Sequence, residues 1–240
     1  MANVVRAALV QATWTGDTES MIVKHEEHAR AAAAQGAKVI GFQEVFNSPY
    51  FCQVQESEHY RWAEPVPDGP TVRRMSDLAR ETGMVIVVPV FEIEQSGFYY
   101  NTAAVIDADG SYLGKYRKHH IPQVKGFWEK YYFKPGNLGW PVFDTAVGKV
   151  GVYICYDRHF PEGWRALGLA RRPARLQPLG HLPRPVRPPL AARTARCRRR
   201  QRVLRRRHQP RRPGGVRGQR LLRHLLLRRP ARAVRRGHRQ

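Results

Sequence analysis

The sequence predicts an α/β or α+β chain with a layered sheet core over residues 1–170, followed by a tail, 171–240, that lacks the means to build one. Three observations lead there. Residues 4–43 alternate as strand, helix and strand, residues 84–106 read as two hairpin-paired strands, and residues 148–167 read as a strand, a polar turn and a helix. The composition then changes abruptly. Residues 171–240 hold 25 Arg and no Lys, Asp or Glu, which leaves 17 basic against 19 acidic residues before them, so the formal charge of +23 belongs to the tail. Every Phe, Tyr and Trp also lies before position 171, so the tail has no large rings to bury.

The elements follow in order. Val4 to Gln11 is strand-like, and Thr18 is placed to cap a helix from about Glu19 to Gln35, which Gly36 stops. Ala37 to Gln43 is a short apolar strand that hands over to Glu44, at the carboxyl end where α/β proteins usually place their chemistry. The polar, aromatic stretch 47–70 is too long and too proline-marked for a simple connection and is expected to border a site. A helix is expected from about Thr71 to Thr82, ended by Gly83, then a strand from Met84 to Phe91 and its hairpin partner from Tyr99 to Ile106. Asp109 and Gly110 turn the chain into SYLGKYRKHHIP, which carries Lys118, and the loop after it carries Glu129. The run GKVGVYICYDRHFP gives a mostly buried strand over Lys149 to Cys155, then a polar turn, with Pro161 opening a helix.

Three cysteines, Cys52, Cys155 and Cys197, form no CxxC pair and no disulfide framework, which suits a reducing, cytoplasmic setting. No signal peptide is expected, and no apolar run approaches the roughly 20 residues that span a bilayer. No His, Cys and Asp grouping has metal-ligand spacing. A strand-to-helix turn exposes a nucleophile while its neighbouring amides face the same cleft. Taken singly, Cys155 reads as a small buried hydrophobe, Glu44 as a solvated strand end and Lys118 as a surface base. Together they supply a thiol, a proton acceptor and a positive group for oxyanion charge. Cys52, in a loop, reads as structural.

Glu44 after its strand, Lys118 in RKHHIP and Cys155 in ICYDRHFP match, in order and context, the Glu, Lys, Cys triad of the carbon–nitrogen hydrolase (nitrilase) superfamily, which residues 4–170 resemble. Within it, RKHHIP, YYFKPGNLGWPVF and ICYDRHFPEGWR are most similar to β-ureidopropionase and related N-carbamoyl amidohydrolases. The resemblance implies a four-layer αββα sandwich, assembly into dimers or larger homo-oligomers, and no metal or organic cofactor. It implies that Cys155 attacks a carbonyl carbon, Glu44 acts as general base, and Lys118 with the Tyr156 amide holds the oxyanion. It implies that Glu129 helps to orient Lys118 or the water. Arg158 is a candidate for binding a substrate carboxylate, its structural alternative being an ion pair with Asp157 or Glu162. His120 and His159 are further substrate-binding candidates. His119 and His120 point opposite ways in an extended segment, so one of the two is expected to face the pocket. The substrate is then a small amide or N-carbamoyl compound, with another amidase or a nitrilase as the sibling alternative.

The tail admits two readings. One is a disordered basic arm that binds nucleic acid non-specifically through phosphates. The other is a slipped reading frame. Decoded one base later, Leu176 to His181 gives Phe-Asn-Pro-Ser-Ala-Thr, and a shift from Arg171 runs on with aromatic and acidic residues by allowed codon choices. The frameshift is the preferred reading. It leaves the fold incomplete after the nucleophile strand, with Cys155 at a broken sheet edge, assembly doubtful and turnover weak or absent.

Overall fold

The structure, a computed structural model, describes residues 4–169 and two short strands beyond them, Ala174–Leu176 and Leu225–Arg228. Apart from those two strands, the expected disordered tail without a stable domain lies outside the described residues.

The chain opens with β1 (Val4–Leu9), α1 (Thr18–Ala34) and β2 (Val39–Gly41). Two 3₁₀ turns, Phe51–Gln53 and Ser57–Trp62, occupy the stretch expected to be a loop. Then come α2 (Pro70–Thr82), β3 (Val85–Gln95), β4 (Phe98–Ile106) and β5 (Tyr112–Arg117). A two-residue pair, β6 (Gln123–Val124) and β7 (Phe127–Trp128), leads into the single turn α3 (Glu129–Tyr132). The last elements are β8 (Val142–Thr145), β9 (Gly148–Val152), α4 (Pro161–Leu169), β10 (Ala174–Leu176) and β11 (Leu225–Arg228).

Six strands form the main sheet in the order β11-β1-β2-β3-β4-β5. β1, β2 and β3 run parallel, and β3, β4 and β5 antiparallel. The two-residue side-chain period sorts its residues onto two faces. Ile40, Ile86, Val88, Val90, Ala104 and Ile106 pack against Ile22, Ala29, Val72, Met75 and Leu78 of α1 and α2. Their neighbours Val39, Val85, Val87, Ala103 and Val105 pack against Phe143, Val150 and Val152 of a second sheet, ordered β10-β9-β8. Because β3 is covered on both faces, it reads as a continuous apolar run rather than an alternating one. On the outer side of the second sheet, α4 lies so close that a Cβ at Gly151 would meet Leu167 at 2.9 Å, which explains the glycine in β9. The layers are therefore helices, sheet, sheet, helix, the four-layer αββα sandwich.

Several boundaries differ from expectation. Asp17, not Thr18, caps α1, because its carboxylate accepts from the Ser20 amide at 2.8 Å. The nucleophile strand ends at Val152 rather than near Cys155, since the Ile154 amide leaves the ladder and donates to Asp157. That strand is not at an edge either. β9 lies between antiparallel β8 and parallel β10. Gly83 does end α2, with a left-handed φ of 61°, and Pro161 does open α4. Among the described residues no helix is long and apolar enough to cross a membrane.

His25 marks a weak point of the outer layer. Its ring packs on Phe42 and Phe46, Nδ1 meets the Met21 carbonyl, and Nε2 is buried without a partner. Burial pushes its pKa down from 6.5 to about 4. The unfolded imidazole takes up its proton first as pH falls, so stability is lost from about 6.5 down through about 4, by on the order of 3 kcal/mol. His25→Leu is expected to flatten this acid limb; thermal midpoints between pH 4 and 7 that fall in parallel for both chains would exclude His25 as the cause.

Candidate active site

The site is built where three strands of the two sheets run out. Glu44 follows β2, Lys118 is one residue past β5, and Cys155 is three residues past β9. All three are buried, with Lys118 at 0% exposure and Cys155 at 6%. Lys118 donates from Nζ to Glu44 Oε1 at 2.7 Å and to Glu129 Oε2 at 2.5 Å. Glu129, the first residue of α3, thus joins the pair, and its other oxygen accepts from Tyr50 Oη at 2.7 Å. Asn101 of β4 donates from Nδ2 to Glu44 Oε1 at 2.6 Å. Glu44 Oε2 is buried without a hydrogen-bond partner.

The electrostatics follow from one cation shared by two carboxylates in a dry site. Burial alone would strip the Lys118 proton, yet Glu44 and Glu129 more than offset it and hold the ammonium charged well above its usual range. Burial pushes Glu129 up to about 7, opposed by Lys118 and reinforced by Glu44. The Cys155 thiol is pushed up by burial and by Glu44, while Lys118 and Arg158 pull it down. The site therefore rests as a thiol beside a net negative cluster. It needs a proton acceptor at the moment of attack rather than a standing thiolate.

Strain sits at the same place. Among the described residues, the two non-glycine positions at positive φ are Val45 at 45° and Cys155 at 41°, one directly after Glu44 and the other the thiol itself. A side chain in the left-handed region costs on the order of 1–3 kcal/mol, most for a β-branched one, and survives only where its surroundings over-determine it. Asp157 is part of that determination. Fully buried, it accepts from Tyr116 Oη at 2.7 Å, the His120 amide at 2.9 Å and the Ile154 amide at 3.2 Å, and it meets His120 Nδ1 at 2.7 Å. One carboxylate thereby ties the 3₁₀ turn Cys155–His159 to the segment directly after Lys118.

The remaining candidates are distributed as follows. The two histidines do not point opposite ways as expected, because both are drawn to the hydrogen-bonded Tyr116–Asp157 pair, His119 Nδ1 lying 3.2 Å from Tyr116 Oη and the two rings 6.4 Å apart. His119 stacks between Tyr116 and Trp140, and His120 lies flat on Phe160 at 3.6 Å while bonded to Asp157. Arg158 and His159 complete the Cys155 turn, and Tyr156 packs edge-on to Phe160 and near His159. The structural alternative for Arg158 does not hold, since it forms no ion pair with Asp157 or Glu162 among the described residues and Asp157 is already occupied. Cys52 is buried with Phe51, Phe91 and Tyr132, and burial followed by Glu129 and Glu44 keeps its thiol protonated. Among the described residues, Glu56, Glu58 and His59 group at ligand spacing, at the start of the 57–62 turn.

Sequence reading missed Asn101, Tyr50 and Asp157. The Asn-Thr pair inside the otherwise apolar FYYNTAAVI was a usable signal, because a polar side chain at a core position of a central strand needs a partner. Its companion Thr102 has one in Glu92, which also binds Arg117 through two nitrogens at 2.9 and 2.6 Å and Lys115 at 2.5 Å. Burial would raise the Glu92 pKa, and these donors pull it below the usual value. This ion cluster pins β3, β4 and β5 together just before Lys118.

The profile of the family described as Carbon-nitrogen hydrolase matches residues 6–178. The chain belongs to the carbon–nitrogen hydrolase family. It is 47% identical over 167 residues to an N-carbamoylputrescine amidase of Solanum lycopersicum, covering 70% of this chain and 55% of that protein. It is 37% identical over 177 residues to a β-ureidopropionase of Arabidopsis thaliana, covering 70% of this chain and 43% of that one. The chain thus spans about half the length of the curated relatives it matches. A crystal structure of a carbon–nitrogen hydrolase from Helicobacter pylori G27 superposes with a TM-score of 0.71 at 29% identity, over 81% of this chain and 67% of that one.

Asp157→Ala would leave the Tyr116 hydroxyl and the Ile154 amide, both buried, and the part-buried His120 amide without this acceptor. It is expected to lower unfolding stability by about 3–5 kcal/mol. Urea denaturation measures this, and a loss below about 1 kcal/mol would mean that Asp157 is not the tie between the two segments.

Proposed function

We propose that Glu44, Lys118, Glu129 and Cys155 form the reaction centre of a thiol-dependent N-carbamoyl amidohydrolase. The observation that carries this is the buried Lys118 ammonium, shared between two carboxylates, with one oxygen of Glu44 unpartnered and the charges of Glu44 and Lys118 both acting on the Cys155 thiol. In this reading Glu44 Oε2 takes the Cys155 proton as the sulfur bonds to the carbonyl carbon. The oxygen that gains charge is held by Lys118 and the Tyr156 amide. Protonated Glu44 returns its proton to the leaving nitrogen as the carbon–nitrogen bond breaks and ammonia or an amine departs. Water, deprotonated by Glu44, then attacks the thioester or carbamoyl enzyme and frees Cys155. Glu129, with Lys118 on one oxygen and Tyr50 on the other, keeps the ammonium in place.

For the substrate tail, the half-buried Arg158, free of ion pairs with its acidic neighbours, supports a carboxylate and so an N-carbamoyl amino acid such as N-carbamoyl-β-alanine. The 47% identity to an N-carbamoylputrescine amidase favours a second reading, a tail ending in an amine. The half-length match and the arginine-rich run support an out-of-frame tail from about residue 171 and, with it, weak or absent turnover by this chain. The nucleic-acid reading of the tail predicts binding that falls steeply with salt and ignores Cys155; resequencing the codons around Ala170 tests the slip.

Ammonia release from N-carbamoyl-β-alanine and from N-carbamoylputrescine is the test of activity. The 240-residue chain is expected to release little from either. A frame-restored chain is expected to turn over the carboxylate, to lose all turnover with Cys155→Ala, and to show a KM raised about ten-fold or more with Arg158→Ala. Full turnover by the 240-residue chain contradicts the account of the tail. Turnover that survives Cys155→Ala contradicts the nucleophile, and a preference for the amine that Arg158→Ala leaves unchanged selects the second reading.

A further inference from the structure

We propose that Asn101 is a positioning residue that fills one oxygen of Glu44 so that the other remains open to receive the Cys155 proton; this rests on the reading of Glu44 as the base.

Oxygen-by-oxygen bookkeeping of the two buried carboxylates shows why such a residue is needed. Glu129 has a donor on each oxygen, Lys118 Nζ on Oε2 and Tyr50 Oη on Oε1. Glu44 carries both of its donors, Lys118 Nζ and Asn101 Nδ2, on Oε1, and none on Oε2. Oε2 of Glu44 is thus the open carboxylate acceptor of the cluster. The two oxygens of a carboxylate are equivalent and its terminal torsion is broad, so a single contact to Lys118 leaves the carboxylate plane free to swing. A second donor converging on the same oxygen fixes that plane and with it the direction of the free oxygen.

Asn101 is placed for this by the sheet. It lies on β4, the strand between β3 and β5, opposite Phe91. Its carbonyl accepts the Lys118 amide at 2.9 Å while its side chain holds Glu44 at 2.6 Å, so one residue fixes the backbone of one member of the cluster and the carboxylate of another. The orientation of the amide is set by chemistry, because the flipped form would bring Oδ1 against a carboxylate oxygen. In the orientation adopted, Oδ1 is buried with no partner. An amide that leaves half of itself unsatisfied in a core strand is a poor device for stability, and its purpose is the carboxylate it touches. In the proton transfer, Glu44 Oε2 gains what Cys155 Sγ loses, and Asn101 exchanges nothing.

The test uses the 240-residue chain and does not require turnover. The rate of Cys155 alkylation by iodoacetamide is followed across pH by peptide mass mapping, which separates Cys155 from Cys52 and Cys197, with circular dichroism confirming the fold of each variant. Glu44→Gln is expected to slow alkylation of Cys155 at pH 7. Asn101→Ala is expected to slow it by about ten-fold with Glu44 present and to change nothing further in the Glu44→Gln background, the signature of a residue acting through another. Asn101→Leu keeps about the size of the side chain and removes the donor without adding a charge. It is expected to slow alkylation only while Glu44 is present, which a purely structural role would not do, and it decides the matter if Asn101→Ala fails to fold. Equal slowing by either variant in both backgrounds, or no slowing in either, overturns the inference while the base reading stands. No effect of Glu44→Gln overturns both.

Discussion

A lysine ammonium with no exposure to water, shared between two buried carboxylates, is the constraint on which the rest of this structure depends. None of the three charges would survive burial alone. The ammonium would lose its proton and a lone carboxylate would gain one, and removing either partner of such a contact costs about 3–5 kcal/mol. The cluster therefore requires that the ends of β2 and β5 and the start of α3 converge on one point, and it requires a dry surround. The third apolar cluster, with Phe51, Phe91, Ile121, Tyr132 and Phe133, supplies that surround. The net charge of the trio is negative. A thiol placed beside it stays protonated until something accepts its proton, and the one open acceptor of the trio belongs to Glu44.

Rigid strands deliver these groups, and strained turns aim them. Val45 and Cys155 adopt left-handed backbone angles that neither residue type favours, and each flanks or carries a member of the site. Two polar hubs resist the strain. Asp157 ties the Cys155 turn to the residues after Lys118, and Glu92 with Arg117 locks β3 to β5 directly before it. Function and fold are thus joined through buried hydrogen bonds, whose loss would loosen the thiol before it unfolded the sheets.

The layered core was legible in the sequence because burial leaves a periodic trace. The β3 run could be read as an apolar strand with a hairpin partner, Gly83 and Pro161 punctuated their helices as their chemistry requires, and motif context brought Glu44, Lys118 and Cys155 together from positions 74 and 37 residues apart in the chain. What could not be read was decided by individual hydrogen-bond partners, three residues away at the strand end and the helix cap and distant in sequence within the site. The strand before Cys155 stops early because Asp157 captures the Ile154 amide, and Asp17 displaces Thr18 as the α1 cap by the reach of its carboxylate. Asn101 and Tyr50 looked like an ordinary strand residue and a loop aromatic, and only the fold sets them against Glu44 and Glu129. The stretch 47–70 borders the cluster as expected, through Tyr50 on Glu129, but its two 3₁₀ turns left no periodic trace to read.

Lys118 is a permanently charged, water-excluded cation held by two carboxylates. Nitrogen-15 NMR of the lysine Nζ groups in the folded chain is expected to show one slowly exchanging ammonium, assigned by its loss in Lys118→Met, that keeps its charge to a pH well above the usual lysine value of about 10.4. A Lys118 resonance that exchanges rapidly with water and titrates at or below that value would contradict it.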